Sequence, residues 1–208
     1  MIKFENVYIK YINSFYSLFN FNYSFNSHTL ILGDAVNGSK AIMRILSKID
    51  KHYTGEVYIE NINIKEVKDC NLSVAYVPEF CELFKFKTVE QNLMYPLKIR
   101  KILKKDAKNI VLEHLKLFNL QNLLKVKVCK LNNNQQKIVT LLRAVIRKPN
   151  YILIENLFKN LSEVNINLAT KILTFSMQNS TIIACEENIT NLKFYKDFSL
   201  LELEKSDA

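Results

Sequence analysis

Two of the three glycines in this 208-residue chain lie five residues apart, in the segment 33–38 (GDAVNG). The apolar run Thr29–Leu32 precedes this segment, and a helical pattern begins near Ser39. A strand, a tight loop and a helix N-terminus direct backbone N–H groups and the positive end of the helix dipole at one point, which makes an anion-binding site. For an isolated match, an ordinary turn between a strand and a helix is the alternative interpretation.

The hydrophobic pattern predicts the elements that position this loop. Three runs rich in Val, Ile, Tyr and Phe, at residues 2–12, 29–32 and 56–64, have the composition and partial alternation of half-buried strands. Between the second and third runs, apolar residues at helical spacing predict a helix over residues 40–49. A further short strand is predicted over residues 72–77, which Pro78 ends.

The middle of the chain has a helical pattern, and residues 85–135 are predicted to form a helical subdomain. Thr88 and Gln91 have the spacing of a capping box at the start of the first helix. Asp106 is predicted to cap the second helix. A third helix is predicted to follow a run of three asparagines and to end near Lys148.

Apolar runs and helical segments alternate in the last third of the chain. The runs have four or five consecutive apolar residues, which is typical of strands buried on both faces of a parallel sheet. The predicted elements, in order, are a strand at residues 151–154, a helix at 164–178 and strands at 181–185 and 198–203. The sequence therefore predicts an α/β fold with a central parallel sheet, in a single domain over residues 1–208.

Composition excludes several classes of protein. The chain is 49% hydrophobic with only 3 Gly and 3 Pro, which excludes a disordered or collagen-like chain. It has no uninterrupted apolar run of ~18 residues and no signal-peptide pattern at its start, so a soluble, cytoplasmic protein is expected. The four cysteines form no Cys-x-x-Cys pair, which argues against a disulfide framework and predicts no metal site.

The formal charge of +9 is compatible with nucleic acid, an anionic membrane surface or acidic ligands as partners. Part of this charge is compositional, because lysine is abundant throughout the chain. The basic residues are most concentrated in the run 98–105 (KIRKILKK). We interpret this run as a solvated helix face rather than a binding patch.

Short motifs follow one another in a fixed order along nearly the whole chain. In order they are Tyr11; the loop 33–41; the segments 54–57, 76–79, 83–84, 88–93 and 96–97; the segment 131–136 with Arg143, Ala144 and Pro149; and the segments 151–156 and 181–187. The ordered set resembles the nucleotide-binding subunit of an ABC (ATP-binding cassette) transporter, a P-loop ATPase. The resemblance implies a parallel-sheet core, an N-terminal antiparallel β part, an inserted α-helical subdomain and ATP as the cofactor.

The resemblance implies that Tyr11 stacks on adenine and that the loop from Gly33 through Asn37 and Gly38 holds the phosphates. The family's loop ends Gly-Lys-Ser/Thr, whereas this loop continues Ser39-Lys40-Ala41. In the natural register Ser39 replaces the phosphate-binding lysine and Lys40 replaces the hydroxyl that ligates Mg²⁺. Shifted by one residue, Lys40 becomes the phosphate lysine and Ala41 offers no hydroxyl. Either register loses the Mg²⁺ ligand, so ATP is expected and Mg²⁺ is not.

The positions that match the family's catalytic residues also depart from its pattern. Glu155-Asn156 stands where the family has Asp-Glu, and the amide of Asn156 positions a water but accepts no proton from it. Glu79 matches the Q-loop glutamine, and Glu187 matches the switch histidine. The signature Leu-Ser-Gly-Gly-Gln reads Leu131-Asn132-Asn133-Asn134-Gln135, and the D-loop aspartate matches Ser162.

These replacements together predict an ATP-binding subunit whose ATP hydrolysis is weak or lost, because each catalytic element contributes separately to the rate. An active ABC ATPase with atypical motif residues is one alternative. A soluble ABC-fold module that binds nucleic acid through its basic surface is another. Nucleic acid is not the expected partner, because the chain lacks the tandem domains or coiled-coil insert of such proteins.

The resemblance also implies partners and a location. ABC subunits work as dimers, so a second ABC subunit, identical or different, is expected. The aromatic segment 80–86 (FCELFKF) is the predicted contact with a membrane permease subunit, because exposed apolar patches mark partner contacts. Packing of the helical subdomain on the sheet is the alternative interpretation of this segment. The run 88–97 is most similar to short subunits of the lipoprotein-release and cell-division type, which implies a peripheral position at the inner face of the membrane.

Overall fold

The structure, a computed structural model, describes residues 1–10, 17–33, 38–68, 73–187 and 192–203. Its residues group into two compact units. The first, here the sheet unit, contains Met1–Tyr76, Tyr151–Asn156 and Thr181–Ala208, and the second, the helical unit, contains Val77–Asn150 and Leu157–Ser180. The single domain over residues 1–208 and the subdomain at 85–135 stay predictions. No helix in the described ranges is both long and apolar enough to cross a bilayer.

Strands dominate the first part of the chain and helices the middle. In chain order the elements are β1 (Ile2–Lys10), β2 (Ser17–Phe25), β3 (Thr29–Leu32), α1 (Ser39–Leu46), β4 (Thr54–Ile59), β5 (Ile62–Asn63), β6 (Val74–Val77), α2 (Val89–Ile99), α3 (Lys104–Leu117), α4 (Asn133–Val145), β7 (Tyr151–Glu155), α5 (Glu163–Met177), β8 (Thr181–Glu186), α6 (Leu192–Tyr195) and β9 (Ser199–Glu202). Two 3-10 turns, Gln121–Leu123 and Val128–Lys130, lie between α3 and α4.

The sheet unit contains a five-stranded sheet in the order β6-β7-β8-β3-β9. Strand β8 pairs in parallel with β7 and with β3, and β3 pairs in parallel with β9. Every residue of β7 is buried, and so is every residue of β8 after Thr181. The predicted α/β fold with a central parallel sheet is confirmed, because uninterrupted apolar runs are what strands covered on both faces require.

A second, antiparallel sheet in the same unit has the order β2-β1-β4-β5. Strand β1 pairs antiparallel with β2 on one side and with β4 on the other. The apolar side of α1 is fully buried in one cluster with side chains from both sheets, including Phe4 and Phe25. The rings of Phe4 and Phe25 meet edge to face at 5.9 Å. The helix that follows the glycine loop is therefore fixed between the two sheets.

The structure corrects the strand predictions in two places. The sequence predicts no strand between residues 12 and 29, yet β2 lies there, with the polar residues Asn20, Asn22 and Ser24 alternating with apolar ones. The single run at 56–64 is two strands, β4 and β5. The turn between them contains Glu60 and Asn61, both at positive φ, which breaks the extended backbone.

The first helix of the helical unit, α2, starts where the sequence predicts. The Gln91 N–H donates to Thr88 Oγ1 at 3.2 Å, and the Thr88 N–H donates to Gln91 Oε1 at 3.0 Å, so both halves of the capping box are present. The prediction that Asp106 caps the second helix is wrong, because α3 starts at Lys104 and its N-cap residue is Leu103. Asp106 lies in the first turn, where its carboxylate still interacts favourably with the helix dipole.

Candidate functional site

The glycine loop joins β3 to α1, as the sequence predicts. Gly38 is the N-cap residue of α1 at φ 82, a left-handed conformation that glycine adopts without strain. The Gly33 N–H donates to the Glu186 carbonyl at 3.4 Å, which places the start of the loop beside the end of β8. Tyr11 and Asn37, two of the predicted nucleotide-binding residues, lie outside the described residues.

The three residues after Gly38 have different environments. Ser39 is buried, and its Oγ donates to the Gly33 carbonyl at 3.2 Å, so this side chain closes the loop on itself. Ala41 is fully buried in the core cluster. Lys40 is half-buried and is the one residue of the three with a cationic side chain. The Ser39 side chain is short and uncharged, and it is directed at a backbone carbonyl. It therefore cannot supply the ammonium group that the resemblance implies at this position.

Glu155 ends β7 as a buried carboxylate. Its Oε2 accepts a hydrogen bond from the hydroxyl of Tyr76 at 2.8 Å, so a residue of β6 holds it in place. Tyr76 was not predicted to have a role at the site. The hint in the sequence is a hydroxyl within an otherwise apolar strand, since a buried phenol needs an acceptor.

Asn156 and Glu187 bond to each other through side chain and backbone. The Glu187 N–H donates to Asn156 Oδ1 at 2.9 Å, and Asn156 Nδ2 donates to Glu187 Oε1 at 3.2 Å. Asn156 is buried, whereas Glu187 is exposed. The Asn156 N–H also donates to the Cys185 carbonyl at 2.9 Å. The structure therefore brings together the two positions that match the family's catalytic glutamate and switch histidine.

The carboxyl ends of β7 and β8 carry a concentration of carboxylates. Glu186 is buried and accepts a hydrogen bond from the Tyr195 hydroxyl at 2.8 Å. Burial, and then the negative charge of Glu186, raise the pKa of Tyr195. The pKa of the Cys185 thiol is raised to about 12, chiefly by burial and also by the charges of Glu155, Glu186 and Glu187, while a hydrogen bond with Ser39 lowers it. Three carboxylates are thus close enough to act on this thiol, and negative charge at this position disfavours a bound anion.

Glu79, which matches the Q-loop glutamine, lies in the helical unit and forms an ion pair. Its Oε1 lies 2.9 Å from Nζ of Lys159. Lys137 Nζ donates to the carbonyls of Lys159 at 2.7 Å and Leu157 at 3.3 Å. Neither lysine was predicted to have a role. Together they fix the turn that follows β7 within the helical unit.

The signature segment is built as a helix cap. The Gln135 N–H donates to Asn132 Oδ1 at 2.9 Å, and the Asn132 N–H donates to Gln135 Oε1 at 3.1 Å. Leu131 is buried, Asn133 is exposed, and Asn134 Oδ1 accepts from the Ser162 N–H at 2.8 Å. Asparagine and serine cap helices by the same kind of hydrogen bond, so Asn132 forms the cap that a serine could form at this position.

The aromatic segment 80–86 has both exposed and anchored residues. Phe80 and Phe86 are 75% and 83% exposed, whereas Leu83 is buried. The Asn92 side chain holds the backbone of Phe84 by accepting from its N–H at 2.9 Å and donating to its carbonyl at 3.2 Å. The ring of Phe84 meets that of Tyr95 edge to face at 4.8 Å. The segment is thus anchored at Phe84, while the side chains of Phe80 and Phe86 are exposed.

Metal ligands do not cluster in the part of the chain that the structure describes. No three His, Cys, Asp or Glu side chains are arranged there to hold an ion. Cys185 is buried, as expected of a small apolar residue, but Cys129 is exposed and Cys81 is partly so.

Comparisons with known sequences give one family. The pattern described as ABC transporter matches residues 17–158. The lipoprotein-releasing system ATP-binding protein LolD of Blochmanniella floridana is 29% identical over 155 residues, which cover 72% of this chain and 66% of LolD. The sn-glycerol-3-phosphate import ATP-binding protein UgpC of Bartonella bacilliformis is 30% identical over 132 residues, 64% of this chain and 38% of UgpC. The chain thus spans less than two thirds of the length of either relative.

Solved structures share the fold. The bacterial ABC transporter cassette MJ0796, in a dimeric structure, has a TM-score of 0.84 and 22% identity, and the match covers 100% of this chain and 97% of that one. A nucleotide-free ATP-binding cassette of an ABC transporter has a TM-score of 0.79 and 19% identity, covering 99% of this chain and 88% of that one. These likenesses confirm the ABC ATPase fold class. Since the family pattern also matches more than half of the sequence, this chain belongs to the ABC transporter family.

Proposed function

We propose that this chain is the ATP-binding subunit of an ABC transporter and that its ATP hydrolysis is weak or lost. The observation that carries the second part is the reciprocal hydrogen bonding of Asn156 and Glu187. Hydrolysis needs a group that accepts a proton from the attacking water, and an amide cannot do this. Both polar atoms of the Asn156 amide are in addition engaged by Glu187, which leaves less of the amide available to position a water.

The charge at the carboxyl ends of β7 and β8 supports the same conclusion. The family's switch histidine donates a hydrogen bond to a phosphate. Glu187, at the matching position of this chain, presents a carboxylate instead. Glu155 and Glu186 add two further carboxylates nearby. Like charges at close range in a partly buried site repel strongly, so a terminal phosphate gains little from this edge of the sheet.

ATP binding itself is supported by the loop between β3 and α1. Its glycines and the N-terminus of α1 remain in place, and a helix N-terminus favours phosphate. Lys40 supplies an ammonium group within the first turn of that helix. We infer that this charge takes over part of the neutralising role of Mg²⁺, and that ATP binds with little dependence on the metal.

A permease and a second ABC subunit are the proposed partners. The exposed rings of Phe80 and Phe86, on a segment anchored by Asn92, support the permease contact. The dimeric structure of MJ0796 supports a dimer, either of this chain with itself or with another subunit. With these partners the chain would lie at the inner face of the membrane.

Calorimetry with ATP, in Mg²⁺ and in a chelator, tests the proposal. We expect similar affinities in both conditions, and a loss of about tenfold or more in Lys40→Ala, because a charge-assisted contact to phosphate is removed. Lys68→Ala is the matched control, since Lys68 is an exposed lysine of the same unit. Tyr11→Ala tests the predicted adenine contact. Binding that requires Mg²⁺, accompanied by steady phosphate release from the wild-type chain, would contradict the proposal.

A further inference from the structure

The net positive charge of the chain belongs to one of its two units. The helical unit contains 18 Lys and Arg and six Asp and Glu, a formal charge of +12. The sheet unit contains 11 Lys and Arg and 14 Asp and Glu, a formal charge of −3. A compositional excess of lysine would affect both units. The net charge is therefore segregated by unit, and the excess of cations belongs to the helical unit.

Six exposed cations of the helical unit occur within eleven residues, on the end of α2, the loop after it and the start of α3. They are Lys98, Arg100, Lys101, Lys104, Lys105 and Lys108. Asp106 is the one acidic residue in this stretch. Among the residues that the structure describes, none of the five lysines takes part in an ion pair.

Large apolar side chains are exposed between these cations. Ile99 at the end of α2 is 50% exposed, and Leu103 directly before α3 is 72% exposed. A single exposed Leu needs no explanation, but aliphatic side chains framed by cations form a mixed apolar and cationic surface. The sequence alone favours a solvated helix face here. The exposure of Ile99 and Leu103 favours a partner that is both apolar and anionic.

The helices α2 and α3 border a groove of about 700 Å³ next to these side chains. Met94, Tyr95, Ile102 and Leu103 supply an apolar lining, and Lys98, Lys104 and Lys108 line it as well. Its acidic residue, Glu90, is already paired with Lys125 at 2.6 Å. The groove shares Lys98, Leu103, Lys104 and Lys108 with the exposed patch, so it extends the same surface of apolar carbons beside ammonium groups.

We propose that this α2–α3 face, residues 98–108 with the adjoining groove, binds the surface of an anionic phospholipid bilayer. The cations lie against lipid phosphates, and Ile99 and Leu103 enter the boundary between headgroups and acyl chains. RNA would also supply phosphates, but it has no apolar phase in which Ile99 and Leu103 could be buried. Its bases stack on aromatic rings rather than on aliphatic side chains. This inference goes beyond the proposed function and depends on neither nucleotide binding nor hydrolysis.

Vesicle co-sedimentation of the full chain without nucleotide tests the proposal. We expect binding to phosphatidylcholine vesicles that contain phosphatidylglycerol, weakening as salt rises, and little binding to phosphatidylcholine alone. Lys104→Gln combined with Lys105→Gln should lower the partition coefficient about thirtyfold, since each cation contributes roughly fivefold near an anionic surface. The control pair, Lys127→Gln with Lys130→Gln, removes equal charge from exposed sites elsewhere in the unit and should have little effect.

The apolar contribution is tested separately. Leu103→Ser should lower partitioning several-fold, while Val164→Ser, which changes a side chain that is 76% exposed on α5, should not. No binding to anionic vesicles would overturn the proposal. A second result would also overturn it: RNA or polyglutamate of equal charge displaces the chain from the vesicles, and Leu103→Ser and Val164→Ser partition alike. The face would then be a site for polyanions in general. None of these results bears on calorimetry with ATP, so the two proposals fail separately.

Discussion

Asn156 and Glu187 hold each other by two reciprocal hydrogen bonds, of 2.9 Å and 3.2 Å. The pairing follows from the sheet, because β7 and β8 are parallel neighbours and each residue directly follows its strand. Asn156 has φ 44, in the left-handed region that asparagine tolerates better than most residues. The asparagine at this position therefore suits both its backbone conformation and its partner.

Replacing Asn156 by alanine should reduce the free energy of unfolding by about 2–3 kcal/mol. Two causes combine. Alanine is strained at positive φ, where asparagine is better tolerated, and the buried hydrogen bonds with Glu187 are lost. Urea unfolding followed by circular dichroism measures the change.

Asn160→Ala is the matched control, because Asn160 also has positive φ, at 61°, but is exposed. It should cost about 1 kcal/mol, which isolates the backbone contribution. Equal losses in the two variants would mean that the contact with Glu187 contributes nothing to stability.

Hydrolysis should return when four of the departures from the family pattern are reversed together. The variant combining Ser39→Lys, Lys40→Thr, Asn156→Glu and Glu187→His regains a phosphate-binding lysine, a hydroxyl, a proton acceptor and a neutral hydrogen-bond donor. We expect phosphate release at least ~100-fold above the wild-type rate, in the range that one acid–base group contributes.

Asn156→Glu alone should gain little, because Glu187 remains a carboxylate beside it and the loop is unchanged. Release of phosphate by the wild-type chain as fast as by the fourfold variant would show that the departures do not limit the chemistry. The signature positions are left unchanged in both proteins, so they cannot account for a difference.

The parallel sheet and the position of the glycine loop could be predicted because their signals are local. Continuous apolar runs identify β7 and β8, and the capping box identifies the start of α2. Strand β2 was missed because its apolar residues alternate with asparagine and serine, which also favour loops. The start of α3 was misplaced because Leu103 occupies the N-cap without a polar side chain, so the strongest polar signal lies three residues later.

The site residues could be named from the sequence, but their contacts could not. Motif order identified Asn156 and Glu187 as family positions, whereas their hydrogen bonds depend on the register of two strands 30 residues apart in sequence. Lys159 lies in none of the motifs, and the motif that contains Tyr76 implies no role for its side chain. Their partners, Glu79 and Glu155, are far away along the chain, and such pairs arise only from tertiary structure.

Acid should destabilise the sheet unit through His28. Its Nδ1 accepts a hydrogen bond from the Ile182 N–H at 3.0 Å, and burial lowers its pKa below the usual 6.5. The folded state therefore binds the proton less readily than the unfolded state. Stability from this residue is fully present above about pH 6.5 and is lost as the pH falls from there toward the lowered value.

Thermal unfolding of the wild type and His28→Asn between pH 5 and pH 8 checks this prediction. The asparagine amide oxygen can accept the Ile182 N–H but does not titrate in this range, so the variant should lose this part of the pH dependence. His52→Asn, at an exposed histidine, is the control and should keep the wild-type profile. Parallel profiles for all three proteins would rule out His28 as the titrating group.

The signature segment should be sensitive at Asn132 and tolerant at Asn133. Asn132→Ala removes the side chain that accepts from the Gln135 N–H and should cost about 1 kcal/mol of stability. Asn132→Ser, which restores the family residue, keeps the cap and should be nearly neutral. Asn133→Ala changes an exposed residue in the first turn of α4 and serves as the control. Chemical denaturation of the three variants ranks them, and a neutral Asn132→Ala would contradict the capping role.

Gly55 in β4 should tolerate no side chain, for two separable reasons. It has φ 81, where L-residues are strained, and an added Cβ would lie 2.3 Å from the backbone oxygen of Asn6. Asn61→Ala isolates the first reason, because Asn61 is exposed at φ 64, and it should cost about 1 kcal/mol. Gly55→Ala must also push β1 away from β4, so its melting temperature should fall much further, or the chain should fail to accumulate in soluble form. Similar melting temperatures for the two variants would mean that β1 shifts at no cost, and that the close approach of Gly55 to Asn6 does not fix the register of the antiparallel sheet.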